Sequence, residues 1–208
     1  MKNDIIQIGD LNQEIAKTIE GEEEMNNTDC LRCNGDGFIE INRQTHTTQT
    51  CPECKGTGRG KIKILVMGRQ SAEQFKSEEK YIMISITSPY SPEAKIKVKN
   101  SLLAILRLSF HDWDAKDKEL IEQKDTLESK RMIYFNREMA REILLFVMCY
   151  IKNINLIVVH CEAGISRSAG VAGAIAKCFC GDDNYYFKHY LPNMLVYDTI
   201  IKEWNERK

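Results

Sequence analysis

The run Leu156-Ile-Val-Val-His160, followed by Cys-Glu-Ala-Gly-Ile-Ser and then Arg167-Ser-Ala-Gly170, constrains this chain more than any other stretch. Its β-branched apolar residues read as a buried strand, and the segment from Arg167 reads as a helix. The loop between them is short, so strand must pass tightly into helix, as at the carboxyl edge of a parallel sheet. Ala163, Gly164 and Ser166 are small enough for successive N–H groups to converge on one point, a nest for a tetrahedral anion. Arg167 is placed to fold back and grip two oxygens with its planar fork. The helix N-terminus adds partial positive charge. Glu162, Ala163, Gly164, Ile165, Ser166 and Arg167 thus form the expected anion-binding loop. The same surroundings favour the thiolate of Cys161, the nucleophilic form of the side chain. His160 reads as a satisfied histidine that positions the loop, rather than as an acid or base.

The rest of the body repeats the alternation. Lys61–Met67, Tyr81–Thr87 and Leu103–Phe110 are short apolar or alternating runs of strand character. A long helix is expected over Asn136–Ile151, where Ala140, Ile143, Leu144, Val147 and Ile151 recur on one face. Further helices are expected over Arg167–Cys180 and Met194–Arg207. Strands separated by helices predict an α/β fold with a mostly parallel central sheet flanked by helices on both faces.

His160, Cys161, Gly164, Arg167 and Ser168 form a His-Cys-x5-Arg-Ser signature, and residues 156–170 resemble the loop of cysteine-dependent protein tyrosine phosphatases, especially the dual-specificity subgroup. The likeness extends more loosely over residues 62–208 through element order and through Pro192–Asn193 ahead of the last helix. It implies a tyrosine phosphatase-like fold and hydrolysis of phosphate monoesters through a phosphocysteine, with phosphorylated proteins as substrates and no metal in the catalytic step. Cys161 would be the nucleophile and Arg167 the anion clamp. Ser168 would hydrogen-bond the sulfur and help it leave. A rhodanese-like sulfur-transfer loop lacks this spacing. The absence of lysine between Cys161 and Arg167 disfavours a highly anionic inositol lipid.

A seryl or tyrosyl leaving group needs a proton, and a carboxylic acid is the usual donor. By likeness the acid follows directly on the third strand of the body, which selects Asp112 in Phe110-His-Asp-Trp-Asp114. Asp114 is an alternative. Asp112 stands further upstream of Cys161 than in the family's small members, and Asp125 fits better by count. The charged stretch Ala115–Arg131 reads as an insertion that absorbs the difference, and Asp125 sits among its charges. Trp113 either flanks the substrate or is an exposed loop aromatic.

Cys30-Leu-Arg-Cys33-Asn-Gly-Asp-Gly37 and Cys51-Pro-Glu-Cys54-Lys-Gly-Thr-Gly58 are two copies of C-x-x-C-x-G-x-G. Their separation suits a four-cysteine zinc site. Four thiolates leave no open coordination position, so Zn2+ bound by Cys30, Cys33, Cys51 and Cys54 is expected to be structural. The glycines permit turns that aim N–H groups at the sulfurs. Residues 28–60 are poor in core residues and need such a staple. The doubled unit resembles half of the DnaJ-type cysteine-rich zinc finger of chaperones, which implies metal binding and contact with protein partners. His46 lies between the pairs and is not needed as a ligand.

The division expected is an acidic tail over 1–27, a zinc module over 28–60 and a catalytic domain over 61–208. A short helix over Asn12–Glu24 is expected within the tail, where Lys2 and Lys17 face seven carboxylates. A net charge of -1 and a pI near 6.4 give no basis for nucleic-acid binding. The longest apolar run, Ile143–Ile151, is too short to cross a bilayer. No secretory signal follows Met1, so a cytoplasmic location without membrane attachment is expected. Cys149, Cys178 and Cys180 read as core packing, and Tyr185 and Tyr186 as packing or turn aromatics. Two other readings share these residues: a phosphoprotein-binding adaptor or pseudophosphatase recruiting partners through the zinc module, and a small-molecule or nucleotide phosphatase.

Overall fold

The computed structural model describes residues 38–42, 47–50, 62–114 and 131–207. The helix expected over Asn12–Glu24, the cysteines Cys30, Cys33, Cys51 and Cys54, His46, and Asp125 with its charged stretch to residue 130 lie outside the described residues. Two strands, β1 (Phe38–Asn42) and β2 (Thr47–Thr50), form an antiparallel hairpin in which Phe38 pairs with Thr50. No strand is expected there from the sequence; Ile39-Glu40-Ile41-Asn42 does alternate apolar and polar residues, but the run is short and its partner Thr47–Thr50 has no apolar residue.

The body is a four-stranded parallel sheet. Its strands are β3 (Lys63–Gly68), β4 (Tyr81–Thr87), β5 (Leu102–Ser109) and β6 (Leu156–Cys161), ordered β3-β6-β4-β5. The helices are α1 (Arg69–Gln74), α2 (Arg137–Tyr150), α3 (Arg167–Ile175), α4 (Asn184–His189) and α5 (Met194–Asn205). A strand alternates its side chains between faces. Ile82, Ile84 and Ile86 of β4 join Ile157, Val159 and Cys161 of β6 in the main core. Ile143, Leu144 and Val147 of α2, Val171, Ala172 and Ile175 of α3, and Val196 and Ile200 of α5 close it. Tyr81, Met83, Leu156 and Val158 belong to a second, smaller cluster with Phe75 and Ile96. The large helices therefore serve one core, and a short helix with its following chain serves the other.

The four strands read from sequence form close to where they were expected, as do α2 and α5. The helix expected to run to Cys180 changes character: α3 ends at Ile175, a π-helical turn spans Ala176–Cys180, and Gly181 closes it at φ 77°. Tyr185 and Tyr186 lie on α4, which is too short to show helical periodicity. Cys149 and Cys180 are exposed, which corrects their reading as core residues. Cys149 falls off the Ala140–Ile143–Leu144–Val147 stripe of α2, and Cys180 ends the π turn. Only Cys178, half-buried against the main core, fits that reading.

Side-chain caps and one buried carboxylate set the helices in place. Asn136 accepts from the Met139 N–H at 2.9 Å and Asn193 from the Val196 N–H at 3.1 Å, starting α2 and α5. Glu203 of α5 is 5% exposed and pairs with Arg137 of α2 at 2.6 Å and with Arg207 at 3.4 Å. α3 meets α5 at Gly170, where an added Cβ would lie 2.7 Å from the Asn193 carbonyl oxygen and 3.2 Å from Val196 Cβ. Alanine is the better helix former by about 1 kcal/mol, yet forcing a methyl into a packed contact costs about 1–3 kcal/mol. Gly170→Ala is therefore expected to lower the urea unfolding midpoint; a raised midpoint would contradict the close α3–α5 contact.

Candidate active site

Parallel strands bring four loops to one edge of the sheet. β6 ends at Cys161, which pairs in register with Gly68 at the end of β3, while His160 pairs with Ser85 of β4. Arg69 follows β3, Ser88 follows β4, and Asp112 lies three residues beyond β5.

The segment from Cys161 to Arg167 curls into a cradle. Gly164 adopts φ +75°, and its N–H donates to the Cys161 sulfur at 3.2 Å. The Ser168 hydroxyl lies 3.1 Å from the same sulfur. A Cβ at Gly164 would sit 2.4 Å from Gly68 N and Met67 C, so both the left-handed backbone and the close approach require glycine. Cys161 is buried, while Ala163 and Ile165 are exposed at the rim. Glu162 would bring negative charge to an anion site, but its carboxylate turns to Arg69, 3.3 Å away. Arg69 also donates to the carbonyls of Pro92 at 2.7 Å and Glu93 at 2.8 Å, tying the cradle to the chain after β4.

Arg167 is 4% exposed. Its Nη1 donates to the Phe110 carbonyl at 2.9 Å and to the Ser88 hydroxyl at 3.2 Å. Its Nε is buried with no hydrogen-bond partner. The Asp112 Oδ2 atom stands 3.8 Å from that nitrogen, too far for a hydrogen bond. An unpaired N–H on a buried cation is costly, and an oxygen of a bound tetrahedral anion would satisfy it. Arg167 also opens α3, whose first N–H groups have no partner within the helix.

Asp112 is held against the cradle. Its Oδ1 accepts from the Ser166 hydroxyl at 2.7 Å and from the Asn193 side-chain amide at 2.9 Å. The loop that carries Asp112 is anchored by His111, whose backbone N–H donates to Ile133 O at 2.8 Å and whose Nδ1 accepts from Ile133 N–H at 3.0 Å. Asp114 is exposed on the same loop, and Trp113 is half-buried, its carbonyl accepting from Asn193 at 3.0 Å. Cys161, Arg167, Ser168, Ser166 and Asp112 therefore meet at one place. The sequence reading did not single out Arg69 or Ser88, which carry no local signal. It noted Asn193 only as part of the family likeness, with no contact to Asp112.

His160 is fully buried, and its Nε2 lies 2.8 Å from the Ser85 hydroxyl. Burial pushes its pKa below the ordinary histidine range, opposed by the Cys161 carbonyl and the Glu162 charge. Its place behind the loop suits a positioning group.

No protein-family model matches the chain, and no curated protein matches it. Among solved structures it is similar to Tk-PTP in its active form, with a TM-score of 0.44 and 15% identity over 72% of this chain and 94% of that one. It is also similar to human DUSP28, at a TM-score of 0.43 and 16% identity over 69% and 92% of the two chains. The PTP-2 phosphatase of Cydia pomonella matches at 0.40 and 19% identity over 67% and 84%. Among the described residues, no helix is long and apolar enough to cross a membrane.

The histidine gives a signed pH prediction. The unfolded chain binds a proton near pH 6.5, while folded His160 resists it. Its contribution to stability is therefore complete above about pH 6.5 and is lost as pH falls towards the lower folded-state value. Between about pH 6.5 and 5 the unfolding free energy of His160→Gln should fall less steeply than that of the parent chain. Equal slopes would contradict a buried neutral imidazole.

Proposed function

We propose that the chain is a phosphate monoester hydrolase acting through a phosphocysteine, with phosphotyrosine proteins as preferred substrates in a dual-specificity manner. The observation that carries this reading is the buried Arg167 guanidinium, whose Nε has no hydrogen-bond partner, in the same loop as the buried Cys161, whose sulfur meets the Gly164 N–H and the Ser168 hydroxyl. In the first step the thiolate attacks phosphorus, the ester P–O bond breaks, and the leaving oxygen takes the proton of Asp112. Arg167 and the loop amides stabilise the equatorial oxygens of the transferring group. In the second step water attacks phosphorus, its proton passes to Asp112, and the P–S bond breaks with Ser168 assisting the departing sulfur. The position of Asp112 supports its assignment: the Ser166 hydroxyl ties it to the cradle and the Asn193 amide ties it to the start of α5. The exposed Ile165 leaves the rim apolar beside the cradle, which suits an aromatic leaving group.

A zinc module with Cys30, Cys33, Cys51 and Cys54 as ligands accompanies the catalytic body in this reading, and protein partners are its natural contact. It is supported by the hairpin register: Phe38 opposite Thr50 makes the strand ends that lead towards the two C-x-x-C units neighbours. The ion would fold this segment and supply no chemistry to the reaction.

Hydrolysis of an aryl phosphate, compared with phosphotyrosine and phosphothreonine peptides, tests the catalytic proposal. Cys161→Ser should abolish turnover and retain phosphate binding. Asp112→Ala should slow turnover about 10²–10⁴-fold; a harmless Asp112→Ala with a crippling Asp114→Ala would move the acid role to Asp114. Elemental analysis should find one zinc per chain. Chelation should remove it and leave aryl phosphate hydrolysis largely intact, whereas complete loss of activity would contradict a separate structural module.

A further inference from the structure

We infer that Asn193 is a positioning residue for Asp112, holding Oδ1 so that Oδ2 is the oxygen that delivers the proton to the leaving group. This rests on the hydrolase reading. The amide is oriented by its partners. One end faces the Val196 N–H, a donor, and must be the oxygen. The other faces Asp112 Oδ1 at 2.9 Å and the Trp113 carbonyl at 3.0 Å, both acceptors, and must be the nitrogen. Asn193 is 6% exposed, and its own backbone N–H donates to the Ser166 carbonyl at 3.1 Å. A single residue, through its side-chain amide and its backbone N–H, thereby joins the Asp112 loop, the cradle and the start of α5.

The consequence for Asp112 follows from lone-pair counting. Oδ1 already accepts from Ser166 and from Asn193, which occupies both of its in-plane lone pairs. A proton on Oδ1 would have to displace one of those bonds. Oδ2 carries neither, and it is the oxygen turned towards Arg167 Nε, the nitrogen left open for an oxygen of the bound anion. A proton on Oδ2 is therefore the one aimed into the cradle. Serine or aspartate at position 193 would still cap α5, but neither supplies the two N–H donors that fix the acid.

The experiment uses the full chain and two esters, phenyl phosphate and a nitro-activated aryl phosphate whose leaving group needs little protonation. For Asn193→Ser, kcat/KM on phenyl phosphate should fall about 10²-fold, the scale of lost general-acid catalysis, and on the activated ester less than about 10-fold. The fall of kcat/KM at high pH that marks the acid should flatten. Asn193→Asp, which sets a second carboxylate against Asp112, should show the same ester-dependent pattern at least as strongly. Equal losses on both esters with an unchanged pH profile, or no loss on either, would overturn the inference while leaving the hydrolase reading intact. A parent chain that hydrolyses neither ester would overturn both.

Discussion

A guanidinium buried at the carboxyl edge of a parallel sheet is the interaction on which the rest of this site depends. Arg167 loses most of its water, and two hydrogen bonds through Nη1 replace only part of it. Its Nε makes no hydrogen bond, and Asp112 Oδ2 faces it from 3.8 Å, so its demand for an anionic oxygen is only partly met. Burial strengthens whatever attraction that nitrogen finds, since a charge interacts more strongly away from water.

Holding a cation there requires a rigid surround, and the fold supplies it from several chain segments. The order β3-β6-β4-β5 places β6, the strand that ends at Cys161, between two neighbours, so the cradle rests on β3 at Gly68 and on β4 through Ser85 and His160. Gly164 can fit against Met67 and Gly68 only because it has no side chain. Arg69 pairs with the Glu162 carboxylate at 3.3 Å, which offsets the negative charge that follows Cys161 in the chain. The link between Glu203 and Arg137 then fixes α5 to α2, so that Asn193 enters the site from a helix tied to the core.

What could be read beforehand was local. Apolar runs such as Leu156–His160 and Tyr81–Thr87 carry their own strand signal, and the Cys161–Ser168 spacing carries the cradle. The stripe of α2 announced a helix but not that Cys149 faces outward from it, since one face of a helix says little about residues off the stripe. The short helices α1 and α4 lack the length to show a period. In the hairpin, β1 carries only a short Ile-Glu-Ile-Asn alternation and β2 is polar throughout, so the pair gives a weak signal. Contacts such as Arg69 with Glu162 or Asn193 with Asp112 join residues far apart in the chain, and nothing in either neighbourhood announces its partner.

The most direct test is to stop the reaction in acid within its first turnover on an aryl phosphate and map the phosphoryl group by mass spectrometry. A phosphoryl group on the Cys161 sulfur, formed at the rate the phenol is released, is the expected result. Sustained release of phenol with Cys161 unmodified, or with the phosphoryl group on another residue, would contradict the account.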